Sequence, residues 1–356
     1  MHFNEKGHRV LVTGLGGGGH GEQVLKALRL SAVPFDIIGA DRSELCANKP
    51  RVSSFHLLPP ANHPNYLNAL KTLICEQQPT MVIHGSEPEM RIMSQYRDEI
   101  EALGTYLPVN NHALLTLCMD KAATFEKLAA VGFDVPAFAR LTNKDDLKHW
   151  DLFPVVIKPS VGGGGSANTF IAQTPGELAF FGTHCLSLAP EVVLQEYVGT
   201  ADQEYTAGVL FDRAGKLLNS IVVHRVINSA LTTRLRVPNI TNRTTLGAEL
   251  VISSGVSQGQ VGKFPPIAEQ CEAIAKALKP DAPINLQFRW VDNEVKLFEI
   301  NPRFSGTTSL RALCGYNEPE TLFRVDVLGE APPKPYRYQE AMILRALDEF
   351  KIGPIE

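Results

Sequence analysis

Three stretches of the chain concentrate residue types that can do chemistry. The first is Ile157-Lys158-Pro159-Ser160-Val161, followed by Gly162, Gly163, Gly164, Gly165 and Ser166. Glycines let a backbone approach phosphate oxygens closely, and successive N–H groups form an anion-binding concavity. Lysine adds a compact positive charge. The lysine precedes the glycines and a strand-like run follows, so this is not a Walker A loop; a plain hairpin with a surface lysine is the alternative. The second stretch pairs Asn285-Leu286-Gln287 with Phe298-Glu299-Ile300-Asn301-Pro302-Arg303. Glu299 and Asn301 are two apart, so in a strand they share one face. Carboxylate and amide oxygens are what Mg²⁺ accepts, nucleotide phosphates and water completing its shell. Register decides whether Gln287 joins them. An odd hairpin loop, for example Asp292 to Glu294, is expected, because a two-residue turn would set Gln287 against Phe298.

The third stretch, Gly14-x-Gly16-x-x-Gly19, lies between a strand-like and a helix-like run, with Asp41 closing the next strand. This suits a dinucleotide turn with a ribose-binding acid. Four consecutive glycines satisfy almost any glycine pattern, so a tight turn offering N–H groups to another anion stands beside it. Glu87 and Glu89 follow a sheet strand and are candidates for an amine; acids stabilising a helix N-terminus are the plain alternative. His224 and Arg225, ending a strand before a long polar stretch, are candidate substrate contacts.

The elements that must position these residues follow from periodicity. Arg9–Gly14, Phe35–Asp41 and Thr80–Gly85 read as strands, and 22–29 and 65–76 as helices, a βαβ pattern that implies a parallel sheet. One amphipathic helix is expected over 113–132. Beyond residue 153 strands dominate: 154–159, 169–172, 192–198, 204–211 and 217–226. The stretch 228–264 is polar and weakly periodic, as functional loops are. A helix after Pro265-Pro266 and a hairpin over 284–301 complete the pattern, before a Pro-rich tail from Ala331 that ends in a short amphipathic stretch.

The chain has 356 residues, 34 Lys+Arg against 38 Asp+Glu, 44% hydrophobic and 20% charged. At roughly 100–200 residues per domain, two or three domains are expected. No basic excess points to nucleic acid, no run of about 18 apolar residues could span a bilayer, and the first residues lack a signal-peptide core. The six cysteines are scattered without metal-site or disulfide spacing and are expected to be reduced core thiols. A cytoplasmic α/β protein acting on small molecules is the expectation.

Lys121, Lys158 with its glycine loop, Gln195-Glu196-Tyr197-Val198, Glu204, Gln287 and Glu299-Ile300-Asn301-Pro302-Arg303 together resemble the ATP-grasp superfamily, most closely its carbamoyl-phosphate-synthetase-like carboxylate–amine ligases. The likeness covers about residues 8 to 328. It implies an α/β chain with an N-terminal Rossmann-like pre-ATP-grasp domain (1–111) that supplies part of the acceptor site. A two-lobed α+β ATP-grasp domain (112–330) would follow, with a smaller lobe over about 112–195, a larger one over about 196–330, and a tail (331–356). The resemblance further implies that Lys121, Lys158 and the Gly162–Ser166 loop contact ATP phosphates. Glu196, Tyr197 and Val198 would sit at the adenine and Glu204 at the ribose. Gln287, Glu299 and Asn301 would hold Mg²⁺ (Mn²⁺ as an alternative), and Arg303 would face the transferred phosphoryl group.

The implied activity is phosphorylation of a carboxylate and its coupling to an amine, with ADP and phosphate released; an acyl-phosphate-forming or carboxylase-type subunit of a larger complex and a non-catalytic nucleotide-binding module are the alternatives. Such transfer needs positioning and charge neutralisation rather than a protein nucleophile. Homodimers are common in the family. The relatives carry a second Arg three residues after N-P-R, where this chain has Gly306. That departure favours an organic carboxylate over bicarbonate, its pocket shaped by Phe304, Gly306 and Thr307.

Overall fold

The computed structural model describes residues 7–162 and 166–349. Strands β1 (His8–Val12), β2 (Phe35–Asp41) and β3 (Ser54–Leu57) alternate with helices α1 (His20–Arg29) and α2 (Tyr66–Gln77), and β4 (Met81–Ile83) follows. They form a parallel sheet in the order β3-β2-β1-β4. Val10, Leu11 and Val12 are fully buried, as strands covered on both faces require. Helices α3 (Glu87–Gln95) and α4 (Arg97–Glu101) close this part. Strand β3 has no counterpart in the sequence reading, because its residues alternate weakly.

The single helix expected over 113–132 is two helices, α5 (His112–Met119) and α6 (Lys121–Ala130). Asp120 breaks them with an extended backbone, and its side chain accepts the Ala123 amide as the N-cap of α6. The break costs one turn of helix and puts Lys121 at a helix start. Strands β5 (Phe138–Leu141), β6 (Val155–Pro159) and β7 (Phe170–Ala172), helix α7 (Pro175–Leu188) and β8 (Val192–Glu196) follow. The small antiparallel sheet runs β5-β8-β6-β7.

Next come β9 (Glu204–Phe211), β10 (Leu217–Arg225), β11 (Thr233–Pro238), β12 (Glu249–Ser253), β13 (Gly259–Gly262), α8 (Pro265–Leu278), β14 (Ile284–Val291) and β15 (Glu294–Asn301). The chain ends with α9 (Thr308–Leu313), α10 (Glu318–Leu322) and β16 (Ala341–Ile343). The large sheet has the order β15-β14-β9-β10-β13-β16, while β11 and β12 form a hairpin of their own. The stretch 228–264, read as an irregular loop, therefore holds three strands. Within the tail, the described residues contribute an edge strand, β16.

One face of the large sheet is apolar. Ala207, Val209, Leu286, Phe288, Val295 and Leu297 pack against Phe125 and Leu128 of α6 and Ile267, Cys271 and Ile274 of α8. Each fully buried aliphatic or aromatic side chain contributes about 1.5–3 kcal/mol. On the other face of β9 and β14, Glu204, Gln287 and Arg289 line a cleft with residues of the small sheet. Five of the six cysteines are buried; Cys75 is exposed, against expectation, and all six are free thiols. Among the described residues no helix is long and apolar enough to cross a membrane.

Candidate nucleotide and metal cleft

The cleft between the two sheets is lined by Lys121, Lys158, Gln195, Glu204, Gln287 and Glu299. Lys121 enters from the start of α6, where its amide donates to the Ser160 carbonyl. Its Nζ donates to Gly162 O at 2.9 Å and lies 4.0 Å from Glu299 Oε1. Lys158, near the end of β6, donates through Nζ to Gln195 Oε1 and Phe298 O, each at 2.8 Å. Burial, and then the charge of Lys121, push its pKa down to about 7, against the pull of Glu299. Gly163, Gly164 and Gly165 lie outside the described residues. Ser166, beyond them, donates to Ser253 O at 2.9 Å and lines the cleft.

The metal row depends on an irregularity. The β14–β15 turn holds two residues, Asp292 and Asn293, both with positive φ, and Val291 pairs Glu294. The expected odd loop is therefore absent, and a regular ladder would set Gln287 against Phe298. A bulge intervenes: Phe288 pairs Leu297, but Gln287 pairs Glu299 and Asn285 pairs Asn301. Phe298 is the extra residue, and it reverses the facing of everything after it. Val295, Leu297 and Ile300 all reach the core. Glu299 is thereby turned into the cleft beside Gln287. The buried Asn301 accepts from Arg303 through Oδ1, while its Nδ2 has no partner. A carboxylate and two amides along one face suit a hard divalent cation.

At the other end of the cleft, Tyr197 OH donates to Val251 O and accepts from Val251 N at 2.8 Å. Arg289, which the sequence reading missed, stacks 4.4 Å from the Tyr197 ring centroid. It donates to the carbonyls of Val198 and Gly199 at 3.0 Å and of Val251 at 2.9 Å. Glu196 pairs with Arg243 at 2.8 Å. Glu204 is enclosed between Arg225 at 2.7 Å and Arg289 at 3.6 Å. Arg225 also donates to Ser253 Oγ and Ser254 O. His224 faces the opposite side of β10, stacked on Tyr205 at 4.5 Å, so strand alternation removes it from the cleft.

Arg303 donates to Glu87 Oε1 at 3.2 Å, to Asn301 Oδ1 and to Phe304 O. Glu89 does not join them. It is buried in its own unit, accepting from Tyr66 OH and Ser86 Oγ, and burial raises its pKa. Gly17 is open, whereas the Gly16 amide donates to Asp41 Oδ2 at 2.7 Å and Ser43 N to Oδ1. Asp41 is thus a staple of the glycine turn, not a free ribose acid. Phe304 is core, packed with Val10 and Val12, and Thr307 is buried on Ser305, so neither shapes a pocket. At Gly306 the carbonyl accepts from Arg345 of the tail. A guanidinium missing from the sequence at position 306 reaches that turn from 39 residues away. No local pattern could reveal it.

Residues 252–350 match the model of a family described as ATP-grasp in the biosynthetic pathway with Ter operon. Among solved structures, N5-carboxyaminoimidazole synthetase of Staphylococcus aureus, complexed with ADP, superposes with a TM-score of 0.64 at 15% identity, over 95% of this chain and 81% of that one. The chain has the fold of that synthetase. The L-amino acid ligase of Bacillus licheniformis gives 0.62 at 15% identity, over 90% of this chain and 74% of the ligase. The biotin carboxylase domain of Hydrogenobacter thermophilus 2-oxoglutarate carboxylase, solved with MgADP, ADP and bicarbonate, gives 0.62 at 16%, over 94% and 72%. Curated relatives are an uncharacterized Sinorhizobium fredii protein, y4rH (25% over 234 residues, 63% of this chain), and the Saccharomyces cerevisiae multifunctional protein URA2 (26% over 220, 60% of this chain). The matches span 43% and 9% of those two proteins.

Proposed function

We propose that this chain is an ATP- and Mg²⁺-dependent ligase that joins a small-molecule carboxylate to an amine. A carboxylate oxygen attacks the γ-phosphorus, the bond to the bridging oxygen breaks, and ADP leaves. The amine nitrogen then attacks the acyl carbon, the bond to the phosphate oxygen breaks, and the nitrogen gives up a proton as phosphate departs. In this reading residues 1–111 serve the acceptor and 112–330 the nucleotide.

One arrangement carries the reading: Gln287 and Glu299 share a cleft with Lys121 and Lys158, and Asn301 and Arg303 continue from the same strand. Gln287, Glu299 and Asn301 would hold Mg²⁺, with Mn²⁺ as an alternative. Bound there, the ion would neutralise phosphate charge during transfer. Lys121 and Lys158 bind the phosphates, and Arg303 meets the moving phosphoryl group. Glu204 accepts from the ribose hydroxyls, and the segment Glu196–Val198 borders the adenine.

The test is release of phosphate and ADP with Mg-ATP across a matrix of carboxylic acids and amines. Release that needs one acid and one amine is expected. Release with an acid alone would limit the activity to acyl-phosphate formation.

A further inference from the structure

The helix break at Asp120 joins two parts of the nucleotide cleft. Asp120 has an extended backbone and forms an isolated antiparallel bridge with Val161, the residue before Gly162, where the glycine loop opens. The Lys121 amide donates to Ser160 O at 2.9 Å, so the first residue of α6 is pinned to the chain leaving β6. A continuous α5–α6 helix could not make this bridge, because its amides and carbonyls would be paired within the helix. The break therefore exchanges helix hydrogen bonds for a fixed joint between a helix start and a loop start.

The Asp120 side chain reinforces that joint. Oδ1 accepts from the Ala123 amide at 3.1 Å, the ordinary cap, and also from the Ser160 hydroxyl at 2.5 Å. Oδ2 accepts from Arg140 of β5 at 3.3 Å. Arg140 also reaches Glu191 at 2.6 Å, and the Glu191 carbonyl accepts from the Ser160 amide at 3.0 Å. A helix cap needs only the first of these contacts. The others tie α6 to the small sheet around Ser160, which is fully buried. Lysine makes such a joint useful. Its ammonium is a point charge on a flexible four-carbon stem, so its reach is only as precise as the backbone it leaves. Lys121 Nζ rests on Gly162 O at 2.9 Å. Asp120 thus holds both ends of that contact, the start of α6 and the entrance of the glycine loop.

We propose that Asp120 is a positioning residue for the nucleotide phosphates. It acts through Lys121, setting the lysine against the glycine loop so that the ammonium is already in place when the phosphate chain arrives. This rests on the nucleotide part of the ligase reading, and it adds to it a residue outside the ligand contacts.

Calorimetry on the full chain with Mg²⁺ tests it, using a non-hydrolysable ATP analogue and adenosine, which has no phosphates. Wild type should bind the analogue more tightly than adenosine. Asp120→Ser keeps a helix cap but cannot hold Ala123, Ser160 and Arg140 together. It should weaken the analogue about tenfold or more, and adenosine by no more than about twofold. Ser160→Ala cuts the same joint without touching the cap. It should weaken the analogue about threefold or more, and it carries the test alone if Asp120→Ser does not fold. In a Lys121→Met background Asp120→Ser should add no more than about twofold, because the group it positions is gone. Equal weakening of analogue and adenosine would overturn the proposal, as would unchanged analogue affinity or the full loss on top of Lys121→Met. Failure of wild type to bind the analogue, or to prefer it to adenosine, would instead overturn the nucleotide reading beneath it.

Discussion

Gln287 and Glu299 face each other across β14 and β15 because Phe298 is bulged out between Glu299 and Leu297. The same bulge presents the Phe298 carbonyl to Lys158 Nζ at 2.8 Å. One inserted residue therefore turns two oxygen donors into the cleft and anchors the lysine opposite them. The two-residue turn before it needs positive φ at both positions, where glycine is free of the strain a side chain brings. Asn293→Gly should stabilise the protein by about 0.5 kcal/mol without changing activity, read as a raised denaturation midpoint. Lost activity in a stable variant would mean that the turn sets the register of the donors.

Glu299→Gln keeps the shape of the side chain and removes the charge that faces Lys121 at 4.0 Å. Mg-ATP turnover should fall about 10²-fold or more, while the melting temperature without nucleotide stays within about 2 °C. Steady-state phosphate release with a Mg²⁺ titration measures it. Unchanged turnover and Mg²⁺ dependence would remove Glu299 from the ligand set.

Lys158 makes nucleotide binding depend on pH. Its folded pKa, about 7, lies below the ordinary 10.5, so between those values the unfolded chain binds more protons and stability without nucleotide rises with pH. Phosphate needs the charged form. ATP binding above pH 7 should therefore take up close to one proton and weaken as pH rises. Calorimetry at pH 8.5 in buffers of different ionisation enthalpy, with EDTA in place of metal, measures the uptake. Lys158→Met should abolish it.

Arg303 is held from three sides, by Glu87, Asn301 and the Phe304 carbonyl, and its Nε is enclosed without a partner. A guanidinium so fixed acts on charge that develops in transfer. Arg303→Ala should lower kcat about 10²-fold or more and shift the ATP KM much less. A change confined to the ATP KM would place the side chain at ground-state binding instead.

Strand alternation made β2, β9 and β14 legible in the sequence, because each has one apolar face or a continuous apolar run. It also separates Arg225, buried against Glu204 of the cleft wall, from His224, stacked on Tyr205 on the opposite side, although the two residues look equivalent as a dipeptide. The break at Asp120 was hidden because the apolar spacing of Leu114, Cys118, Ala122 and Phe125 continues through it. Strand β11 was hidden because Thr233–Pro238 is nowhere fully buried. Arg289 and Arg345 act on backbone carbonyls far along the chain, at Val198, Val251 and Gly306. Carbonyls carry no sequence signature, so such contacts exist only once the chain has folded.

The last prediction concerns stability beneath the cleft. Arg311 and Glu318 are almost wholly buried and joined by two hydrogen bonds of 3.0 and 3.1 Å, and Arg311 also donates to Asn285 Oδ1 at 2.9 Å. This ties α9 and α10 to the strand that carries Gln287. The pair fits only because position 208 of β9 has no side chain: a Cβ there would meet Arg311 Nη1 at 2.0 Å and Glu318 Oε1 at 2.6 Å. Removing one partner leaves a buried charge uncompensated, so Glu318→Ala should cost about 3–5 kcal/mol. Gly208→Ala, which keeps both charges but forces them aside, should also destabilise, and the two changes should be less than additive because they disturb one contact. Chemical denaturation of the two single variants and the double variant measures the coupling. Strict additivity would mean that Gly208 serves the strand itself and not the ion pair above it.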